Sequence, residues 1–103
     1  MRQALGALRS SLAERFGERL AALRLFGSHA RGEATEDSDV DVFVLLASPS
    51  LEDRRAVHEL AAAVSVDSGL LLSPLVFSDE QYAEWKRGDR AIVRDIENEG
   101  IAV

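Results

Sequence analysis

The chain of 103 residues contains no cysteine, which excludes disulfides and thiolate metal sites. No stretch approaches the ~18 consecutive apolar residues of a membrane-spanning helix. The opening MRQALGALRSSLAERF has no continuous apolar core flanked by a cleavage site, so it does not read as a signal peptide. The expected compartment is therefore the cytoplasm. Basic residues are in deficit: 12 Lys and Arg against 18 Asp and Glu leave a net charge of −6. Non-specific nucleic-acid binding relies on a surplus of cations that release counterions, and it is not expected here. The same deficit disfavours anionic membranes, while a local basic pocket for phosphate stays compatible with it. Repeats, low-complexity tracts and linkers are also missing, so residues 1–103 read as one small domain. Such a domain buries under ~70% of its unfolded surface and has little area left for an elaborate substrate pocket.

What is present is an alternation of helical patterns and short apolar strands, an α/β or α+β layer structure with a small mixed sheet of three to four strands. Leu5, Leu8, Leu12 and Phe16 recur three or four apart and predict a helix from Gln3 to Phe16. Ala22 to Phe26 reads as a buried strand, broken by Gly27-Ser28, with a short turn or helix through Arg31 and then a loop from Gly32 to Ser38. Asp39 to Ala47 is the clearest strand, with Val40, Val42, Val44 and Leu46 on one face and Asp39, Asp41, Phe43 and Leu45 on the other. Ser50, with Asp53 three residues on, predicts a capped helix from Leu51 with Val57, Leu60, Ala61 and Val64 inward. Leu70 to Phe77 is a third strand, placed at an edge or bulge by Pro74. Ser78 and Gln81 cap a last helix, Asp79 to about Glu99, with a bend expected at Gly88. Gly100 ends it, and Ile101-Ala102-Val103 suggests a terminal strand.

The chemistry concentrates between Leu25 and Asp41. Alternation puts the Asp39 and Asp41 carboxylates on one face, roughly 7 Å apart. Two like charges on an otherwise apolar strand are costly, and a hard divalent cation between them removes that cost. Gly27 lets the backbone approach a phosphate closely, Ser28 adds a hydroxyl, and amides opening the next helical turn favour an anion.

Gly27-Ser28, ten residues, then Asp39-Val40-Asp41 resembles the signature of the DNA polymerase β-like nucleotidyltransferase superfamily, most closely its minimal nucleotidyltransferases. The resemblance runs over nearly the whole chain. It implies that Gly27 and Ser28 hold the triphosphate of ATP, and that Asp39 and Asp41 are the catalytic, metal-binding acids for two Mg²⁺ ions. Arg31 is either a further phosphate contact or a surface partner of Glu33 or Glu36. His29 and His58 read as structural, and Tyr82 and Trp85 as packing residues at helical spacing. The superfamily also carries a third carboxylate on the next strand, where this chain has Leu71 and Ser73; Asp67 and Asp79 lie just outside that strand.

The implied function is transfer of a nucleoside monophosphate, AMP from Mg-ATP, to a hydroxyl. The resemblance points to a small helical HEPN-type protein as partner and, for antitoxin members, to a tyrosine of that toxin as acceptor. The alternative is a catalytically weak or inactive module that binds and neutralises a helical partner. An antibiotic-modifying enzyme ranks third, since the chain lacks extra substrate-binding structure. Self-association through Tyr82, Trp85 or the third-strand edge stays open.

Overall fold

The computed structural model describes every residue from 1 to 103 except Glu36. Helix α1 spans Arg2–Phe16, and its Leu5, Leu8, Leu12 and Phe16 are all buried, joined by Ala4. A 3-10 turn, Gly17–Arg19, leads into β1, Leu20–Phe26, which starts two residues before the expected Ala22. The remaining elements are α2 (Ser28–Arg31), β2 (Val40–Leu46), α3 (Leu51–Ser68), β3 (Leu72–Ser78), α4 (Asp79–Arg87), α5 (Ala91–Glu99) and β4 (Ile101–Ala102).

The four strands form one mixed sheet in the order β3-β2-β1-β4. Strand β1 runs antiparallel to β2 and β4, while the α3 crossover makes β3 parallel to β2. Pro74 thus lies on an edge strand, where a missing N–H is tolerated. Alternation along β2 divides the core in two. Val40, Val42, Val44 and Leu46 are fully buried with α1 and α3, and Val57, Ala61 and Val64 of α3 face them, with Leu60 at the margin. Phe43 and Leu45 point the other way, toward α4 and α5, where Phe77, Val93, Ile96, Tyr82 and Trp85 gather. The rings pack edge-on: Phe43–Phe77 at 5.6 Å and Phe77–Trp85 at 5.0 Å between centroids.

The single closing helix expected from Asp79 to Glu99 is two helices, broken over Gly88 to Arg90 with Asp89 at a φ of 50°. Asp89 in the left-handed region cannot continue an α-helix, so the chain turns there. A continuous helix over that span would run about 30 Å, against about 23 Å for a strand of seven residues. Folding back lets both halves lie on the sheet, and Arg90 stacks over the Trp85 ring at 4.8 Å to close the corner.

Helix α3 begins at a complete capping box. Asp53 N donates to Ser50 Oγ at 3.0 Å, and Ser50 N donates back to Asp53 Oδ2 at 2.9 Å. Arg19 Nη2 also reaches Asp53 Oδ2 at 2.6 Å, tying the entry of β1 to the start of α3. The Arg19 hydrogen bond, then the Ser50 backbone, lower the Asp53 carboxyl to about 2. A carboxyl depressed on folding contributes stability above its unfolded value, near 3.9, and that contribution fades as pH falls through the folded value. Asp53→Asn is therefore expected to be less stable than wild type at neutral pH. Urea unfolding at a series of pH values should show the gap between the two proteins closing from about pH 4 toward pH 2.

Candidate functional site

Pairing of β1 with β2 sets Phe26 opposite Asp41, and pairing of β2 with β3 sets Asp41 opposite Ser73. At this end of the sheet β1 exits into Gly27-Ser28 while β2 enters through Asp39, which precedes the strand and is exposed. Gly27 has φ 76° and ψ −154°, a conformation that L side chains rarely adopt. A Cβ on Gly27 would lie 2.3 Å from Asp41 Oδ2 and 3.2 Å from its Cγ. The carboxylate leans directly over the Gly27 backbone, so the turn and the acid are one structural unit.

The turn continues as α2, with Arg31 N donating to Gly27 O at 3.1 Å and Glu33 N to Ser28 O at 2.9 Å. His29 Nε2 donates to the Ser38 carbonyl at 3.3 Å and Thr35 N to Ser38 Oγ at 2.9 Å. The first bond ties the loop end beside Asp39 to the helix that follows the Gly-Ser turn, and the second closes the loop on itself. His58 is exposed on α3, and Tyr82 and Trp85 pack in the aromatic cluster.

Burial raises the Asp41 carboxyl above its ordinary value, and the negative charge of Asp39 raises it further; His29 and Arg31 offset part of this. Two oxygen donors whose mutual repulsion a cation would relieve, set beside backbone that only a glycine can supply, fit a hard divalent ion such as Mg²⁺. Among the described residues no third His, Cys, Asp or Glu joins them in a cluster. Ser73 occupies the position facing Asp41 on β3. Leu71 is exposed, and its carbonyl accepts from Val40 N at 2.9 Å. Neither acid flanking the strand substitutes. Asp79 lies at the far end of β3, accepting from Ser48 N and Glu80 N. Asp67, in the last turn of α3, lies under the opposite face, beside Gln3, Ala4 and Ala7.

Arg31 is bound to two carboxylates, Glu33 at 3.1 Å and Glu99 at 3.3 Å. Glu33 is one of the partners expected from the sequence, and Glu36 lies outside the described residues. Glu99, 68 positions away, leaves no local signal. A cavity of about 420 Å³ lies between α1 and β4, lined by Leu5, Leu25 and Val103 among others, and includes none of the candidate site residues.

The contact of Gly27 with Asp41 yields a specific expectation. Gly27→Ala should cost about 1–3 kcal/mol, from φ strain plus the overlap with the carboxylate. Adding Asp41→Ala should recover part of that loss, because it removes the two nearest atoms that the new Cβ meets, Oδ2 and Cγ, and leaves only the Asp41 Cβ at 3.3 Å. Thermal unfolding of the two single variants and the double variant checks this, and purely additive losses would refute the close approach.

The nucleotidyltransferase domain family matches this chain over residues 5–103. A Methanocaldococcus jannaschii protein named as a candidate protein adenylyltransferase is 31% identical over 87 residues, 84% of this chain and 81% of that one. The solved structure of a candidate minimal nucleotidyltransferase aligns with a TM-score of 0.65 at 28% identity, over 99% of this chain and 91% of that one. A toxin–antitoxin crystal structure with AMP-PNP shares the fold at a TM-score of 0.63 and 20% identity, over 92% of this chain and 68% of that one. The Gly-Ser turn pressed against Asp41 is thus found in a chain that, by a match spanning nearly its whole length, belongs to the nucleotidyltransferase domain family.

Proposed function

We propose that this chain binds ATP with Mg²⁺ at Gly27, Ser28, Asp39 and Asp41 and transfers AMP to a hydroxyl on a partner protein. The acceptor we favour is a tyrosine of a small helical HEPN-type toxin, with this chain as the cytoplasmic antitoxin. The observation that carries the reading is the seating of the Asp41 carboxylate on the Gly27 backbone, which joins the phosphate-binding turn to the acid pair. Two similarities support it: the relative named as a candidate protein adenylyltransferase, and the toxin–antitoxin structure of like fold crystallised with AMP-PNP.

In the reaction an acceptor oxygen attacks the α-phosphorus, a P–O bond forms, the bond to the bridging oxygen breaks and pyrophosphate departs with that electron pair. The acceptor proton passes to solvent. Bound Mg²⁺ supplies charge neutralisation on the phosphates, the role that such ions play in phosphoryl transfer. The chain's own residues do the positioning. Gly27 admits the triphosphate to the backbone, Ser28 offers a hydroxyl, and Asp39 and Asp41 supply carboxylate oxygens beside the turn. The family resemblance implies two ions at this acid pair, and the same reading includes them.

Ser73 favours a second reading, a weak or inactive module that binds its helical partner without modifying it. A serine hydroxyl opposite Asp41 is no general base at neutral pH, and losing such a base typically costs ~10²–10⁴ in rate. A phenol, with a pKa near 10, depends on a base far less than an aliphatic hydroxyl does.

The test incubates the chain and its helical partner with Mg²⁺ and α-phosphate-labelled ATP, beside Asp39→Ala/Asp41→Ala. Label on the partner that vanishes in the double variant is the expected result. Tight association without label in either case would leave the binding-module reading. In the labelling assay Ser73→Asp is expected to raise turnover by about tenfold or more, since it places a carboxylate facing Asp41. The gain should be greatest with an aliphatic hydroxyl acceptor.

A further inference from the structure

The guanidinium of Arg31 is shared between Glu33 and Glu99. One cation between two carboxylates is a cluster of net charge −1, which repels a polyphosphate. Glu33 occupies Nε and Glu99 occupies Nη1, so releasing Glu99 both removes a repelling charge and frees the Nη1–Nη2 edge for two parallel bonds to phosphate. Glu33 is two residues away on the same turn and moves with Arg31. Glu99 belongs to a different element: it is the last residue of α5, just before β4, which pairs with β1 at Arg24–Ala102 and Leu25–Ile101. That pairing fixes the chain beyond Glu99 against the strand that runs into Gly27.

We propose that Glu99 is a positioning residue for the nucleotide site: it holds Arg31 in the nucleotide-free protein and competes with phosphate for its guanidinium. Triphosphate binding then exchanges the Arg31–Glu99 pair for an Arg31–phosphate pair. The inference rests on the nucleotide-binding reading above. The strengths are right for an exchange. Both side chains keep more than a third of their accessible surface, 39% for Arg31 and 37% for Glu99, and pairs that exposed are weak. A guanidinium gains more from phosphate, which accepts two parallel N–H bonds and carries more charge. The Nε bond to Glu33, at 3.1 Å, can persist through the exchange, because Glu33 sits beside the turn rather than across from it.

Calorimetric titration with a non-hydrolysable ATP analogue and Mg²⁺ tests this on wild type, Glu99→Gln, Arg31→Ala and the double variant. Salt of about 0.5 M shrinks the Debye length to a few ångströms, so that long-range repulsion by Glu99 contributes little. Glu99→Gln is expected to bind about twofold to threefold more tightly than wild type, the scale of one exposed ion pair partly screened by the salt. Arg31→Ala should bind more weakly, and adding Glu99→Gln to it should leave affinity unchanged. Weaker binding by Glu99→Gln would overturn the inference, since Glu99 would then be orienting Arg31 toward phosphate. So would an equal gain in both backgrounds, which would place the effect outside Arg31. Wild type that binds no analogue at all would remove the nucleotide reading itself, and this inference with it. Melting temperatures of the four proteins confirm that each is folded.

Discussion

The contact on which the rest of the site depends is that of the Asp41 carboxylate with the Gly27 backbone. It exists only because β1 and β2 pair with Phe26 opposite Asp41. A slip of one residue would move every side chain of β2 to the other face. That slip would expose Val40, Val42, Val44 and Leu46 to the α4–α5 layer and drive Asp41 into the α1–α3 core. Register is therefore fixed by burial along the whole strand, and the site inherits it. Apolar packing along β2 places the Asp41 carboxylate, while Asp39, just before the strand, is held by the loop.

The sheet end must then hold charge beside a dry core. Asp41 is only half-buried and sits two residues from Phe43, which is fully buried among Phe77, Tyr82 and Trp85. Burial is the leading reason that its carboxyl is pushed up, ahead of the Asp39 charge. Such an arrangement is costly in the isolated chain and favourable with a cation, so the strand stores an affinity for positive charge at its open end. The loop is held to suit: His29 reaches the Ser38 carbonyl, which keeps Asp39 close to the turn that carries Gly27 and Ser28.

How much of this is legible in the sequence depends on how local the cause is. The capping box at Ser50 and Asp53, the Ser78 cap, the inward face of α1 and the period-2 pattern of β2 are each decided within a few residues, and each is readable. Pro74 narrows β3 to an edge or a bulge, and the strand order settles it as an edge. The break between α4 and α5 is not readable, because it answers to how both halves pack on the Phe43 and Phe77 face, and Gly88 by itself suggests only a bend. The two extra residues of β1 form where Leu20 pairs with Leu46, a contact with no sequence pattern of its own. Glu99 is invisible for the same reason. Its partner is set by β4 returning along β1, and a surface glutamate at a helix end looks like any other. The Gly-Ser and Asp-x-Asp elements are legible as a pattern, but their close approach needs three-dimensional pairing.

Ser73 is the residue where pattern and geometry meet most usefully. The sequence leaves two positions for a third acid, Leu71 and Ser73, and two outlying acids as substitutes for it. Parallel pairing resolves the question: Ser73 faces Asp41, Asp79 is at the opposite end of the strand, and Asp67 is under the other face. The absence of an acid at Ser73 is thus a property of the site itself, and no neighbouring acid among these compensates for it. On the proposed reading the phosphate and cation contacts come from residues at the β1 and β2 ends, so they do not depend on β3. In the proposed transfer β3 offers no carboxylate to take the acceptor's proton, and an acceptor with its own acidity, a phenol rather than a sugar or serine hydroxyl, suits such a site best.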